Sequence, residues 1–125
     1  MEREILFRGK TGIEGDDKWY YGFLFSVNNG KRCLRVETKN DTHIIPVVDG
    51  TIGQLFYRLD DETPIFEGDI LDIEGSKFIV FWDFSKLALT IDQFEGDTPE
   101  EEINISKIKI IGNITDNPEL CVGAL

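Results

Sequence analysis

The chain has 125 residues, of which 30% are charged, and its 24 acidic and 13 basic side chains give a formal net charge of −11 at pH 7. That length matches one ordinary domain with a single core, and we predict one domain over residues 1–125. The negative charge repels polyanions, so nucleic acid and anionic membranes are disfavoured as ligands.

The N-terminal part of the chain is predicted to consist of strands and tight turns. "REILFRGK" alternates between two faces, with Ile5 and Phe7 on one of them. Turn residues follow in "TGIEGDDKW", and "WYYGFLFSV" is rich in residues that favour strands. "NNGK" predicts a hairpin turn into "RCLRVET". "IIPVV" predicts a short edge strand, because Pro46 has no backbone N–H to donate.

The candidate helix of the chain is "TIGQLFYRL", residues 51–59. Thr51 is placed to cap it. Four apolar residues fall at helical spacing, Ile52, Leu55, Phe56 and Leu59. Gly53 opposes the helix, since glycine in a helix interior costs about 1 kcal/mol relative to alanine. An extended conformation therefore competes with at most one short helix near 51–59.

The segment "IFEGDILDIEGSKFIVFWD" predicts two strands joined by a tight turn. Gly68-Asp69 is interpreted as a structural turn, in which glycine supplies backbone freedom and aspartate a local cap. The second strand is apolar on both faces, so we expect Phe81 and Trp82 to be largely buried, with a cost of about 3–5 kcal/mol for Phe81→Ala. With "LALTIDQF" and "INISKIKIIGN" as further strands, the fold class is all-β to β-rich α+β. The hairpins around 65–94 predict a small antiparallel, SH3-like barrel.

The acidic residues do not predict a metal or acid–base site. Asp69 and Asp72 are three positions apart, so on a strand they point to opposite faces. Asp60-Asp61-Glu62 lacks the spacing and central glycine of a calcium loop. These carboxylates are interpreted as parts of turns and hairpin ends.

The sequence also contains no recognisable catalytic motif. His43, the single histidine, has no nucleophile or orienting carboxylate nearby in sequence, and Cys33 is interpreted as a small apolar residue inside a strand. Cys33 and Cys121 form no CxxC pair, which favours a reduced chain. We therefore predict a protein that is not an enzyme and needs no cofactor. No signal peptide or membrane span is indicated, so we expect a cytoplasmic location.

Aromatic and basic residues adjoin at one place, "WYYGF" beside "KRCLR". Rings and bases on a small barrel can bind single-stranded nucleic acid, and that alternative would use Trp19, Tyr21, Lys31, Arg32 and Arg35. Trp19, Tyr21, Phe23 and Phe25 share one face of a predicted strand, and core packing uses the same pattern.

The charge is distributed unevenly. Residues 1–40 contain eight basic and six acidic residues, so the other 85 residues hold a net charge of −13. This asymmetry predicts self-association, in which a basic group of one copy faces acidic loops of the next in a head-to-tail contact. The basic group is Lys31, Arg32, Arg35 and Lys39. In the alternative interpretation these bases only solvate a hairpin.

Five segments of the chain together resemble the YopX-like proteins of bacteriophages and prophages. They are "REILFRGK", "WYYGFL", "GTIGQLFYRLDDETPIFEGDIL", "VFWD" and "IIGNITDNPEL", and they span nearly the whole sequence. Residues 56–64 depart from the usual pattern of that family, which has Thr-Gly-Leu and a Lys/Asn/Gly-rich turn there. The resemblance implies a small β-rich phage or prophage protein without an established activity or catalytic residues.

Three hypotheses follow from these observations. The first is a non-enzymatic, self-associating interaction module that contacts host or phage proteins. The second is the nucleic-acid-binding barrel described above, against which the net charge weighs. The third is an acidic mimic of DNA that presents Asp60-Asp61-Glu62 and Glu100-Glu101-Glu102 to a basic host protein.

Overall fold

A computed structural model describes residues 4–13, 15–98 and 102–121 of the chain. Its strands form a six-stranded antiparallel sheet with the order β4-β3-β2-β1-β5-β6 and a four-stranded antiparallel sheet with the order β10-β7-β8-β9. The all-β prediction is confirmed, and the described strands belong to these two antiparallel sheets. The strands are β1 Phe7–Lys10, β2 Trp19–Ser26, β3 Arg32–Glu37, β4 Thr42–Pro46, β5 Gly53–Arg58, β6 Pro64–Phe66, β7 Asp69–Ile73, β8 Ser76–Asp83, β9 Ala88–Glu95 and β10 Ile108–Asn113. Three short 3-10 turns complete the regular structure, at Asp49–Thr51, Ile105–Lys107 and Pro118–Cys121.

Two compact units divide the chain, Met1–Leu55 (unit 1) and Phe56–Leu125 (unit 2). Unit 1 contains eight Lys/Arg and eight Asp/Glu residues, whereas unit 2 contains five and sixteen. The net charge of −11 therefore belongs entirely to unit 2.

In unit 1, consecutive hairpins place β1, β2, β3 and β4 side by side. β4 lies at the edge of the sheet, as its proline predicts. The strands β2 and β3 approach closely at Gly22, where an added Cβ would lie 2.2 Å from the carbonyl oxygen of Arg35. Only glycine leaves room for such an approach, so Gly22 allows β3 to lie close to β2.

The candidate helix at 51–59 is not formed. A 3-10 turn covers Asp49–Thr51, and the chain then continues as β5. The first residues of β5 pair with β1, with Gln54 opposite Phe7 and Gly53 opposite Arg8. Gly53 and Leu55 are buried while Gln54 is partly exposed, so the segment follows the two-residue period of a strand. Glycine disfavours the helix, and backbone pairing with β1 selects the strand.

The core of unit 2 is a cluster of five buried apolar side chains from β6, β7 and β8. They are Ile65, Leu71, Ile73, Phe78 and Val80. Strand β8 alternates between buried and partly exposed residues, and both Phe81 and Trp82 are only partly buried. Phe81 and Trp82 are therefore less buried than predicted, because the core covers the Phe78–Val80 side of β8 and leaves the end of the strand partly open.

Candidate interaction surface: an exposed aromatic sheet face

Unit 1 has a row of exposed rings on β2. Because successive side chains of a strand alternate between faces, Trp19, Tyr21, Phe23 and Phe25 lie on the same side. Tyr21 is 45% exposed, Phe23 55% and Phe25 36%. The interpretation of this row as core packing is therefore wrong, since its outer rings face solvent.

The pairing register extends this row across the sheet. Phe23 lies opposite Arg35 on β3, and Arg35 lies opposite Ile44 on β4. Ile44 is 52% exposed. We call the resulting surface the aromatic face and define it by Trp19, Tyr21, Phe23, Phe25, Arg35 and Ile44.

Arg35 supplies the positive charge at the centre of the aromatic face. Its guanidinium lies 2.9 Å from the carboxylate of Glu37, and about half of each side chain is exposed. An exposed ion pair of this kind contributes at most about 1 kcal/mol, so it does not prevent Arg35 from contacting a ligand.

Trp19, at one end of the row, is held by two cations from β1. The Arg8 guanidinium lies 4.6 Å from the ring centroid and the Lys10 ammonium 5.6 Å. The pairing of Lys10 with Trp19 and of Arg8 with Tyr21 places both bases on the aromatic face. Trp19 is thus engaged by two cations, and Phe23 is the most exposed ring of the row.

The four bases expected to mediate self-association do not form one patch. Arg35 lies on the aromatic face, whereas Arg32 pairs with Ser26 and projects to the opposite face of β3. Lys31 lies in the turn before β3, where its N–H donates to Asn29, and Lys39 lies in the turn after β3. The nucleic-acid set is divided in the same way: Trp19, Tyr21 and Arg35 share a face that Lys31 and Arg32 do not join.

The acidic cluster Asp60-Asp61-Glu62 forms the turn between β5 and β6. The side chain and backbone N–H of Thr63 donate to Asp61, which lowers the pKa of that carboxyl group. Glu62 adopts a left-handed backbone conformation, with φ of 72°. Of the second cluster, Glu100 and Glu101 lie outside the described residues and Glu102 is exposed. The acidic-mimic hypothesis stays a prediction.

The Gly68-Asp69 pair forms a tight turn between β6 and β7. Gly68 has φ of 93°, and its N–H donates to the carbonyl of Val80 at 2.8 Å. Asp69 is 2% exposed, and its Oδ2 accepts the N–H of Phe66 at 2.7 Å. A buried carboxylate with a backbone donor stabilises the turn, so the Glu-Gly-Asp segment has a structural explanation.

The segment "GNITDNPEL" forms a second turn that adjoins the first. Asn113 pairs with Asp69 across β10 and β7, and the N–H of Ile114 donates to the carbonyl of Gly68 at 2.9 Å. Within the turn, Asn113 Oδ1 accepts the N–H groups of Thr115 and Asp116 at 3.0 and 2.8 Å. These two segments of the resemblance therefore meet and support one another in unit 2.

The other candidate residues occupy structural positions. His43 is exposed on β4 and pairs with Val36, while Cys33 is 5% exposed between Phe25 and Pro46 on adjacent strands. Burial raises the pKa of the Cys121 thiol. Within residues 4–13, 15–98 and 102–121, no three His, Cys, Asp or Glu side chains are placed to hold a metal ion. In the same residues, no helix is long and apolar enough to cross a membrane.

The sequence pattern favours a core position for Phe23 and Phe25 and gives no indication of a role for Ile44. Alternating apolar residues predict one shared face, but the alternation is the same whether that face meets a core or solvent. The neighbouring glycine at position 22 was the available signal, since it marks the opposite face of β2 as the crowded one.

The fold and this surface define a class of protein, a small all-β protein of two antiparallel sheets with an exposed aromatic sheet face. The family model described as "YopX protein" matches residues 7–121, and the chain therefore belongs to the YopX family. The match runs from β1 to the last 3-10 turn and includes the aromatic face and both adjoining turns. No curated protein matches the chain.

Proposed function

We propose that this protein is a non-enzymatic, self-associating interaction module of a phage or prophage, which contacts a host or phage protein in the cytoplasm of the bacterial host. The observation that carries the proposal is the exposure of Tyr21 and Phe23 on the aromatic face. Contiguous exposed apolar patches are typical of protein-binding surfaces. Aromatic side chains and arginine are the residues enriched at such interfaces, and Arg35 lies between the ring of Phe23 and Ile44.

The roles of the ionisable groups support the non-enzymatic part of the proposal. Asp83 accepts hydrogen bonds from Ser85, and Asp61 does so from Thr63, so both are used to stabilise turns. Asp69 is buried and accepts a backbone hydrogen bond from Phe66. Acids engaged in this way stabilise turns and are not gathered in a common cleft.

Site-specific photo-crosslinking tests the contact surface. A photoreactive phenylalanine analogue at position 23 is expected to form a defined adduct with one protein in host cells. The matched control carries the same analogue at Tyr57, which is 48% exposed but lies outside the aromatic face. The same adducts from both positions, or none from position 23, would overturn the role of the aromatic face.

Sedimentation velocity of the full chain at tens of micromolar tests self-association separately. We expect a species larger than the monomer whose fraction rises with concentration. A monomer over the whole concentration range would overturn this part of the proposal.

Single-stranded nucleic acid is the second candidate ligand of the aromatic face. The observation that favours it is that the exposed ring of Phe23 lies opposite Arg35, so a base could stack beside a guanidinium. Unit 1 has no net charge, so it repels phosphate less than the whole chain does. Fluorescence polarisation with a labelled oligonucleotide at moderate salt tests this candidate. Micromolar, salt-sensitive binding that is lost in Phe23→Ala would favour nucleic acid over a protein as the ligand of the aromatic face.

A further inference from the structure

Strand β9 lies at one edge of the four-stranded sheet, where β8 is its neighbour. Among the described residues, no backbone group outside this pair of strands is hydrogen-bonded to the backbone of Ala88–Glu95. The strand has eight residues, and a long open edge is a template for another extended chain. The outer edge of β9 is therefore a candidate docking site.

The tight turn between β7 and β8 shows which backbone groups of the sheet bond to which neighbour. Glu74 and Gly75 have φ of 52° and 92°, as in a two-residue hairpin turn. Ile73 and Ser76, which flank this turn, are paired. The flanking residues of such a turn exchange hydrogen bonds, and bonded and non-bonded pairs alternate from there. Even-numbered residues of β8 therefore bond to β7, and its odd-numbered residues bond to β9.

The same alternation fixes the outward groups of β9. Thr90 and Asp92 lie opposite odd-numbered residues of β8, so their backbone groups face that strand. The N–H and C=O groups of the alternate residues, Leu89 and Ile91, point away from the sheet. The open edge thus offers two donors and two acceptors, enough for four hydrogen bonds with one added strand.

The side chains along this edge differ between its two faces. Leu89 and Ile91 lie on the side of the buried Val80 and are themselves only partly buried. Asp92 lies on the other side, is exposed, and is opposite Ile79 rather than a base. An added strand matches this edge when it places apolar side chains on the first face and a basic side chain opposite Asp92.

The turn at the start of β9 adds apolar surface to the same edge. Phe84 is 81% exposed and Leu87 74%. Leu87 has φ of 52°, a conformation that glycine or asparagine adopts more readily. Asp83 anchors the turn, because its Oδ1 accepts the Ser85 N–H at 2.9 Å and the Ser85 hydroxyl at 2.6 Å. The turn therefore presents two apolar side chains from an anchored backbone beside the open edge.

We propose that the outer edge of β9 binds an extended, basic segment of a partner protein as an additional antiparallel strand. The residues of the segment that lie opposite Leu89 and Ile91 are apolar and exchange backbone hydrogen bonds with them. The residue opposite Asp92 is lysine or arginine. The site lies in unit 2 and does not use the aromatic face, so it goes beyond the proposed function and adds a second contact.

Charge identifies the occupant as a basic segment rather than a second copy of β9. Unit 2 contains sixteen acidic and five basic residues, so two such edges would bring two strongly negative units together. A segment with lysine or arginine is attracted by the same charge. Its basic side chain meets Asp92 in a non-bonded pair, where side chains of neighbouring antiparallel strands lie closest.

A synthetic peptide tests the contact on the full chain. The probe is a capped seven-residue peptide in which valine and lysine alternate, with valine at both ends, and the readout is an NMR titration of the backbone amides. We expect saturable shifts at Leu89 and Ile91 and a dissociation constant that rises with added salt. A peptide with glutamate in place of each lysine should bind at least about tenfold more weakly. No binding, or shifts confined to other strands, would overturn the proposal.

N-methylation of the peptide separates hydrogen bonding from charge. In the proposed strand the valine N–H groups face β9 and the lysine N–H groups face away, because the apolar residues form the bonded pairs. Methylation of the two central valines should raise the dissociation constant at least about tenfold, whereas methylation of two lysines should change it less than about threefold. Equal effects would show that charge alone holds the peptide, and a larger effect of the methylated lysines would indicate parallel pairing. Either result would overturn the proposed strand.

Variants of the chain provide the complementary test. Leu89→Pro removes an outward N–H near the start of the edge strand, where proline is tolerated, and Leu89→Thr keeps it. We expect Leu89→Pro to weaken peptide binding at least about fivefold and Leu89→Thr less, with unchanged circular dichroism in both. Equal binding by the two variants would argue against the backbone contact.

Two further substitutions test the charge and the location of the contact. Asp92→Asn should weaken peptide binding about two- to fivefold, and Asp60→Asn, the same change of charge in a turn of unit 2, should change it less. Phe23→Ala should leave peptide binding unchanged, so the outcome is independent of the proposed role of the aromatic face. Equal effects of the two asparagine variants, or loss of binding in Phe23→Ala, would contradict the β9 site.

Discussion

Replacement of Gly22 by alanine tests the close approach of β2 and β3 that supports the aromatic face. A Cβ at this position would lie 2.2 Å from the carbonyl oxygen of Arg35 and 2.9 Å from its carbonyl carbon. These are backbone atoms that cannot rotate away, so the two strands would have to separate by roughly 1 Å. The change therefore disturbs the register that aligns Phe23 with Arg35.

The expected loss of stability follows from two opposing contributions. Overpacking against surroundings that cannot relax costs about 1–3 kcal/mol, and a backbone obstacle places Gly22→Ala in the upper half of that range. Alanine also restricts the unfolded chain, which returns about 0.4–1 kcal/mol. The net loss is then about 1–2.5 kcal/mol, which for a chain of this size lowers the Tm by roughly 4–12 °C.

Gly50→Ala is the matched control, because no atom lies within 4 Å of a Cβ built at Gly50. Its Tm should stay the same or rise, since only the restriction of the unfolded chain remains. Thermal unfolding followed by circular dichroism, with near-ultraviolet signals as a probe of ring packing, measures both variants. Equal melting temperatures for Gly22→Ala and Gly50→Ala would refute the close approach of the two strands.

Three further predictions concern unit 2. Phe66 is 1% exposed, so Phe66→Ala should lower the free energy of unfolding by about 3–5 kcal/mol. Phe81→Ala should lower it less, because Phe81 is only partly buried. Equal shifts in the urea midpoint of the two variants would contradict this ranking. Asp69→Ala removes the acceptor of the Phe66 N–H and should cost about 1–3 kcal/mol, while Asp69→Asn keeps a carbonyl acceptor and should cost less by the same assay. The Ser85 hydroxyl and N–H donate to Asp83 and lower the pKa of its carboxyl group. The ionised carboxylate therefore stabilises the folded state at pH values above its unfolded-state pKa, and this stabilisation is lost as the pH falls through its folded-state pKa. The Tm difference between the wild type and Asp83→Ala should therefore shrink below about pH 4, and a constant difference down to about pH 2 would argue against this linkage.

The strands of unit 2 were predictable because their signals are local. Gly68-Asp69 and Glu74-Gly75 mark turns, and Gly68, Glu74 and Gly75 all have positive φ in the structure. The strand at residues 53–58 was not predictable in the same way. Apolar residues at Ile52 and Leu55 fit both a helix and a strand, and pairing with β1, which is distant in sequence, decides between them.

The aromatic face was only half predictable. Alternation correctly placed Tyr21 and Phe23 on one side of a strand, but exposure depends on what packs against that side, which local sequence does not encode. Lys31, Arg32 and Arg35 are divided between surfaces for a related reason. Residues that are adjacent in sequence point to opposite faces of a strand, so a basic segment in a strand is divided between two surfaces.

The pairing of Asp69 with Asn113 has a consequence for synthesis of the chain. Strand β7 is the neighbour of both β8 and β10, yet β10 is made only after β8 and β9. At translation rates of about 5–20 residues per second, a nascent chain would hold β7 with one edge open for seconds before β10 arrives. That apolar strand is then a target for chaperones and for other unfinished chains, so the yield of folded protein should depend more on the speed of translation between β9 and β10 than on speed elsewhere in the message.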